Sequence, residues 1–379
     1  RMNMLLFMVH MVLLAIGVAF IYSIGQQSGG HIRGYWIRQV IWILMGGGLM
    51  ALLMGVDYRH LGRFSLIIFG GSLLLLIAVL LFGKVINGAR CWLVLPMGVT
   101  VQPAEFAKLG LIIPLAWYAA FQTTDFKRYR DIAYCCALTL IPMTLILLQP
   151  DMGSCLVFAP ICLVILFLGG LRIRLLIMTA IIGMLVGPMV YKFCFKYHQK
   201  QRVLVYLRPL LPEKPFEIVR NLSISNKTRA IVMEDDWNAK QCELATGSGG
   251  LYGKGFGKGT QNPLGFLPKK ITPTDFIFSV ISEETGFLGS AFLLACCGVM
   301  VVLSLHISAK SGDDFGKYLA AGIATVFCIH IFINIGMTIR VMPIIGIPLP
   351  FVSYGGSGMI GMMACMGVLQ SVYIHRHNQ

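Results

Sequence analysis

The chain has 379 residues, 57% of them hydrophobic and only 12% charged, with 31 Lys and Arg against 16 Asp and Glu for a net charge of +15. A soluble domain carries about a quarter charged residues, so this composition, with a mean hydropathy of +0.77, excludes a string of soluble domains and points to a polytopic membrane protein. The positive balance suits anionic headgroups or an anionic substrate, and no nucleic-acid partner is expected.

A spanning helix needs about 20 mostly apolar residues. That criterion predicts an all-α, single polytopic domain over 1–379 with about ten spans: 4–24, 36–56, 64–83, 102–121, 131–149, 152–169, 173–195, 275–305, 317–341 and 353–374. The first run is of spanning length and lacks an A-x-A-like cleavage site, so it reads as a helix that stays rather than a signal peptide that leaves. The fifth and sixth spans are separated only by Gln149, Pro150 and Asp151. Arg59, Arg63, Lys127, Arg128, Arg130, Arg172, Arg174 and Arg376 fall in alternate short loops, which predicts that side, and both termini, to be cytoplasmic.

Most of the eleven cysteines lie inside apolar runs and read as small hydrophobes, and no C-x-x-C pair suggests a metal or redox motif. Cys91 and Cys242 fall in outer loops, and spacing leaves open whether they pair.

Residues 196–272 form a long outer loop with thirteen Lys or Arg against six Asp or Glu, a net +7. Long loops escape the positive-inside rule, so the orientation stands. Such charge suits either anionic headgroups or an anionic substrate arriving from the outer leaflet.

Three stretches carry candidate chemistry. In 86–110, Gln102, Pro103 and Glu105 open the fourth span, with proline where a helix start tolerates it, and Glu105 and Lys108 are three residues apart on one face, able to pair. Ionisable groups inside a span are costly and mark either a site or an internal ion pair. Arg90 and Trp92 upstream suit a phosphate-and-sugar headgroup region. In 247–261, glycines with Lys254 and Lys258 resemble a phosphate loop, yet Ser248 and Tyr252 stand where a Walker motif needs glycine. A flexible loop near Asp275 or a tight turn both remain.

Just beyond, Lys269, Lys270, Asp275, Glu283 and Glu284 crowd the entrance of the eighth span. Asp275 stands where it could cap the helix that follows. Glu283 falls near the face of Asp275 with Glu284 about 100° further round, and one of the two is expected to meet a cavity or Lys108. The third stretch, 334–358, is irregular backbone at membrane level, which needs protein or a wet cavity to cover it. Its Ser353, Gly355, Gly356 and Ser357 open the last span, where they could offer amides to a phosphate or permit close helix packing. The lone His10, His330 and Asn334 read as satisfied interhelical donors.

Taken in order, N-G-A-R-x-W-L, Q-P-x-E-x-x-K, Q-P-D, G-S-G-G-L-x-G-K-G, T-D-F-I-F-x-V-x-x-E-E-x-G and G-I-P-L-P-F-V-S-Y-G-G-S resemble the SEDS (FtsW/RodA/SpoVE) family of cell-wall polymerases, and within it the RodA-like branch. The sequence departs at Arg340, where glycine is usual, at Gly358, at Cys91, and in a stretch near 217–235 that does not align. The resemblance implies a peptidoglycan glycosyltransferase of the cytoplasmic (inner) membrane. It would polymerise lipid II on the extracytoplasmic side for cell-wall growth and cell shape, beside a class B penicillin-binding protein and other elongation-complex proteins.

It also makes Asp275 the general base with Lys254, Lys258, Lys269 and Lys270 as contacts to the diphosphate, adds Asn87 to Arg90 and Trp92 as substrate contacts, and adds Asp151 to Glu283 and Glu284 as coupling residues. By resemblance a divalent cation, Mg2+ or Mn2+, assists the diphosphate, while the sequence itself shows no dedicated metal cage and implies no other cofactor. A transporter that flips the lipid-linked precursor is the competing class, prompted by Glu105, Lys108, Glu283 and Glu284 within spans; no internal inverted repeat supports it.

Overall fold

The computed structural model of the chain describes residues 2–28, 30–86, 89–94, 100–121, 129–175, 178, 181, 226–268 and 271–376. Nine of the ten expected spans appear within a few residues of their predicted limits. They are α1 (Met4–Ser28), α2 (Tyr35–Gly55), α4 (Ser65–Phe82), α5 (Pro103–Phe121), α6 (Tyr129–Leu148), α7 (Met152–Leu168), α9 (Ile277–Ala309), α10 (Asp314–Thr338) and α11 (Gly356–His375). Eight of them are long and apolar enough to cross a membrane, and α7 is a shorter apolar helix. The seventh expected span, 173–195, lies almost entirely outside the described residues.

Helix limits follow from local chemistry. Pro103 is the first residue of α5, where its missing N–H costs nothing. Asp151 caps α7 by accepting from the Ser154 N–H, and Asp313 caps α10 by accepting from the Gly316 N–H. The eighth span is not one rod. Gly286, at φ +68, breaks α9 into a short first piece and a long piece from Phe287 onward. Asp275 therefore precedes the helix it was expected to begin, and the N-cap position belongs to Phe276, which makes no side-chain cap bond.

Besides a short 3-10 helix at Gly30–Gly34, three elements were not foreseen. A short helix α3 (Tyr58–Arg63) follows α2. A long polar helix α8 (Asn226–Ser248) lies between the seventh and eighth expected spans and begins within the stretch that did not align. A three-stranded antiparallel sheet, β1 (Lys84–Ile86), β2 (Ala89–Val94) and β3 (Thr100–Val101), joins α4 to α5, with Lys84 opposite Trp92 and Leu93 opposite Val101.

α5, α10 and α11 form the interior, whereas α2 and α9 turn most of their surface outward. α11 lies against α2, and small residues let the backbones approach: an added Cβ at Gly367 would meet the Met50 carbonyl at 2.8 Å. Chain reversal between spans gathers the segments 30–34, 83–86, 89–94, 100–102, 149–151, 249–268, 271–276 and 339–355 at one end of the bundle. At the other end, Asp313 accepts from Tyr58 Oη at 2.8 Å and from Arg59 Nε at 2.9 Å, tying α3 to α10. Burial, reinforced by the Asp313 carboxylate, pushes the Tyr58 phenol well above its ordinary value.

Candidate active site

Asp275 ends the turn that precedes α9, with its N–H donating to the Ile271 carbonyl at 2.8 Å and its side chain partly exposed. Its backbone is pinned to the 339–355 segment at three points. Asn334 Nδ2, on α10, donates to the carbonyls of both Asp275 (3.0 Å) and Ile347 (2.8 Å). Ser353 Oγ donates to the Thr274 carbonyl at 2.5 Å and accepts from the Leu349 N–H at 2.9 Å. The Tyr354 N–H donates to the Pro273 carbonyl at 2.9 Å, and the Tyr354 ring stacks on Tyr35 at 4.4 Å. Gly346, at φ +80, passes so close that a Cβ there would lie 3.4 Å from Asp275 Oδ2. The residue is thus placed by backbone contacts from two distant stretches of sequence.

Beneath this surface lies a buried polar network. Lys108 Nζ donates to Glu105 Oε1 at 2.6 Å, and His330 Nε2 stands 2.9 Å from the same ammonium. A charged ammonium only donates, so Nε2 accepts, and the ring proton sits on Nδ1, which donates to the Pro348 carbonyl at 3.1 Å. His330 and Asn334, four residues apart on one helix face, therefore hold the adjacent carbonyls of Pro348 and Ile347 in the middle of the same irregular segment. Both Glu105 and Lys108 are almost wholly buried, on the inner side of this segment.

The α5 and α7 openings meet alongside. Gln102 Nε2 donates to Asp151 Oδ2 at 2.6 Å, and Ser154 Oγ donates to the same oxygen at 2.8 Å. Gly153 packs against Ile345 and Ile347, next to the Gly346 that borders Asp275. Arg90 stands exposed on β2, its N–H bonded to the Gln149 carbonyl and its guanidinium to the Leu80 carbonyl at 3.2 Å, while Trp92 is half-buried. Asn87, Lys269 and Lys270 lie outside the described residues.

The paired glutamates are organised differently from expectation, since neither reaches Lys108. Glu283 Oε1 accepts from Lys254 Nζ (2.6 Å), the Thr260 N–H (2.8 Å) and hydroxyl (3.0 Å), and the Gln261 N–H (3.1 Å). Glu284 accepts from Ser23 Oγ (2.7 Å) and Gln27 Nε2 (2.6 Å) at the end of α1 and from the Gly257 N–H (2.9 Å). The glycine loop is therefore a cradle for two carboxylates of the chain's own, and Lys254, read as a substrate contact, neutralises Glu283. Lys258 remains exposed.

The last span's opening also resolves toward packing. Gly356 abuts the Trp42 ring, where a Cβ would come within 2.8 Å, and the Gly355 N–H is taken by Gln39 Oε1, while Gln39 Nε2 donates to the Ser353 carbonyl. Ser353 and Gly355 thus shape the site by holding its backbone, and Ser357 is buried.

The sequence profile of the FtsW/RodA/SpoVE family, described as "Cell cycle protein", matches residues 3–378. The chain belongs to this family. It is 32% identical to the peptidoglycan glycosyltransferase RodA of Treponema pallidum (97% of this chain, 96% of the relative) and 33% identical to the peptidoglycan glycosyltransferase MrdB of Escherichia coli K12 (97% and 92%). Among solved structures it resembles Thermus thermophilus RodA, described as a rod shape determining protein, at 27% identity with a TM-score of 0.70 over 100% and 99% of the two chains. It also resembles a chain from work on structural coordination of polymerization and crosslinking by a peptidoglycan synthase complex, at 28% identity with a TM-score of 0.80 over the same shares. With its apolar spans, this family member is a multi-pass membrane protein.

Several residues that shape the site drew no functional reading from sequence: Gln39, Ser23, Gln27 and Thr260 as anchors, and His330 and Asn334 beyond generic donors. The available signal was a polar side chain inside an apolar run, which Gln39 satisfies. His10 departs from its expected role, because among the described residues neither ring nitrogen has a hydrogen-bond partner and the ring meets Phe351 edge-on at 4.5 Å. Cys91 and Cys242 are separate, buried thiols. A resident divalent cation finds no fitting donor set, since among the described residues no three His, Cys, Asp or Glu side chains converge. Glu283, Glu284 and Asp151 are already engaged as above.

Proposed function

We propose that this chain is a peptidoglycan glycosyltransferase that polymerises lipid II, with Asp275 as general base. The observation that carries the reading is the placement of a partly exposed Asp275 where the 271–276 turn, the α10 face and the 339–355 segment are stitched together. In the reaction the hydroxyl of the acceptor sugar attacks the anomeric carbon of the donor. Asp275 takes the hydroxyl proton, a new glycosidic bond forms, and the bond from the anomeric carbon to the diphosphate breaks with its electron pair leaving on polyprenyl diphosphate. Diphosphate is a good leaving group, so one carboxylate suffices where a glycosidase uses two.

Charge that develops on the diphosphate needs cations. Lys258 and Arg90, both exposed at this end of the bundle, and Lys269 and Lys270, beside Asp275 in sequence, are the groups proposed to supply them. Lys108 and Glu105 are proposed to support the site through His330 and the Pro348 carbonyl rather than by touching substrate. Family membership and the positive-inside pattern support an inner-membrane enzyme with this end outside the cytoplasm, working beside a class B penicillin-binding protein.

The test is polymer formation from lipid II by the purified protein together with its transpeptidase partner. Asp275→Ala is expected to abolish polymer while the complex still assembles. Undiminished polymer in that variant would remove Asp275 from the chemistry, and transfer of labelled lipid across vesicles without polymer would favour a flippase.

A further inference from the structure

The glycine loop faces outward with apolar side chains, although its composition suggests a wet, anion-binding turn. Tyr252 is 78% exposed and Phe256 53%, with Leu251 beside them. The loop's polar backbone, by contrast, is closed on itself and on α9. The N–H groups of Gly253, Lys254, Gly255 and Lys258 donate to the carbonyls of Gly249, Glu283, Glu284 and Gly255, and the Gly257 N–H donates to the Glu284 carboxylate. Positive φ at Gly250, Gly253, Gly255 and Gly257 makes this folding possible. A loop whose amides are already satisfied has few left for a phosphate and can tolerate a low-dielectric surrounding.

Its height along the bundle is fixed by two neighbours. The Phe287 and Leu288 N–H groups donate to the carbonyls of Gly250 and Leu251, so the loop joins α9 where its long, outward-facing piece begins. That piece, from Phe287 to Ala309, is about 34 Å long at 1.5 Å per residue, enough to cross the hydrocarbon layer. Phe256 packs edge-on against Phe20 at 5.5 Å, about a turn inside the end of the first apolar run. At the same level Tyr22 packs on Trp36, the kind of aromatic pair that marks a membrane interface.

We propose that the 249–266 loop is seated in the lipid interface. Leu251, Tyr252 and Phe256 enter the upper acyl region as a continuation of the lipid-facing surface of α1 and α9. The occupant is phospholipid. The inference stands on geometry alone and is independent of Asp275 being a base. It gives the Glu283 and Glu284 cradle a purpose: two buried carboxylates hold a wedge of backbone against lipid, where unsatisfied amides would be costly.

The test places a photo-crosslinking amino acid at 252 or 256 of the full chain, reconstituted in vesicles of phosphatidylethanolamine and phosphatidylglycerol, with position 287 as the lipid-facing reference and position 240 on α8 as the water-facing one. Lipid adducts at 252 and 256 in yields within about threefold of position 287, and at least about tenfold above position 240, are expected. Adducts at 287 alone, equal yields at 240, or crosslinks from 252 and 256 to a second copy or to another protein would overturn it.

Discussion

Replacing Lys108 by methionine tests whether the buried network supports the site or serves as a substrate contact. The ammonium lies 2.6 Å from Glu105 Oε1 and 2.9 Å from His330 Nε2, and Glu105 Oε2 has no other partner among the described residues. At an effective dielectric near 20 the pair attracts by about 6 kcal/mol, and the loss of hydration of two buried ions, several kcal/mol each, offsets most of that. The pair as a whole is therefore close to neutral, yet breaking it leaves a carboxylate buried without its counter-charge. Lys108→Met alone should destabilise by about 3–5 kcal/mol, and Glu105→Leu alone by a similar amount.

The double variant, in which neither charge remains, should recover to within about 1–2 kcal/mol of the wild type, so the coupling between the two sites is about 4 kcal/mol or more. The assay is the unfolding midpoint of each purified variant in mixed micelles of rising SDS fraction, read alongside lipid II polymerisation. Additive losses in the double variant, or a Lys108→Met protein as stable as the wild type but inactive, would refute the argument. The second result would return Lys108 to the substrate.

Asn334→Leu should lower polymerisation more than stability. It removes the donors that fix the Asp275 and Ile347 carbonyls, a loss of about 1–3 kcal/mol in a buried setting, and kcat against unfolding midpoint separates the two effects. Gly253→Ala should destabilise by about 2–3 kcal/mol or more, because φ is +79 and the new Cβ would fall 2.2 Å from the Glu284 carbonyl. Gly247→Ala, at the end of α8 with open space around it, should be neutral or stabilising by up to about 1 kcal/mol in the same melt. Burial pushes the thiols of Cys91 and Cys242 up to about 12, with Asp151 and Asp275 respectively adding to the rise. A raised thiol value leaves only about one thiolate in ten thousand at pH 8, so maleimide should label neither residue in the folded protein, while both react after denaturation. Rapid labelling of either at pH 8 would contradict its placement.

Much of the architecture is legible in residue order because a bilayer imposes a simple rule. A run of about 20 apolar residues must become a helix, since no water is present to satisfy its backbone. The limits of α1, α2 and α4 to α7 follow from that rule with punctuation from Pro103, Asp151 and Gly83. Motif order also pointed to the segments that build the site. Arg340 is instructive: the departure from a usual glycine falls on a residue at φ +58 just beyond α10, a left-handed position that glycine adopts without strain.

Pairing between distant segments was not legible, because period and hydropathy describe one helix at a time. Glu283 and Glu284 looked like partners for Lys108 or for a cavity. Only the break at Gly286 and the fold-back of 249–262 bring Lys254, Thr260, Ser23 and Gln27 to them. Ser353 and Gly355 looked like anion contacts until Gln39, more than 300 residues earlier, was seen to occupy their backbone. Asp275 itself is named by its motif, but its partly exposed seat, one residue short of the α9 cap and bordered by Gly346, exists only when α10 and the 339–355 segment close around the turn. Composition and apolar run length determined that this protein is a membrane bundle, through the cost of unsatisfied backbone in lipid. Which of its few charges face a substrate and which hold one another was decided by tertiary contacts, because a buried charge needs a partner and sequence distance says nothing about who that partner is.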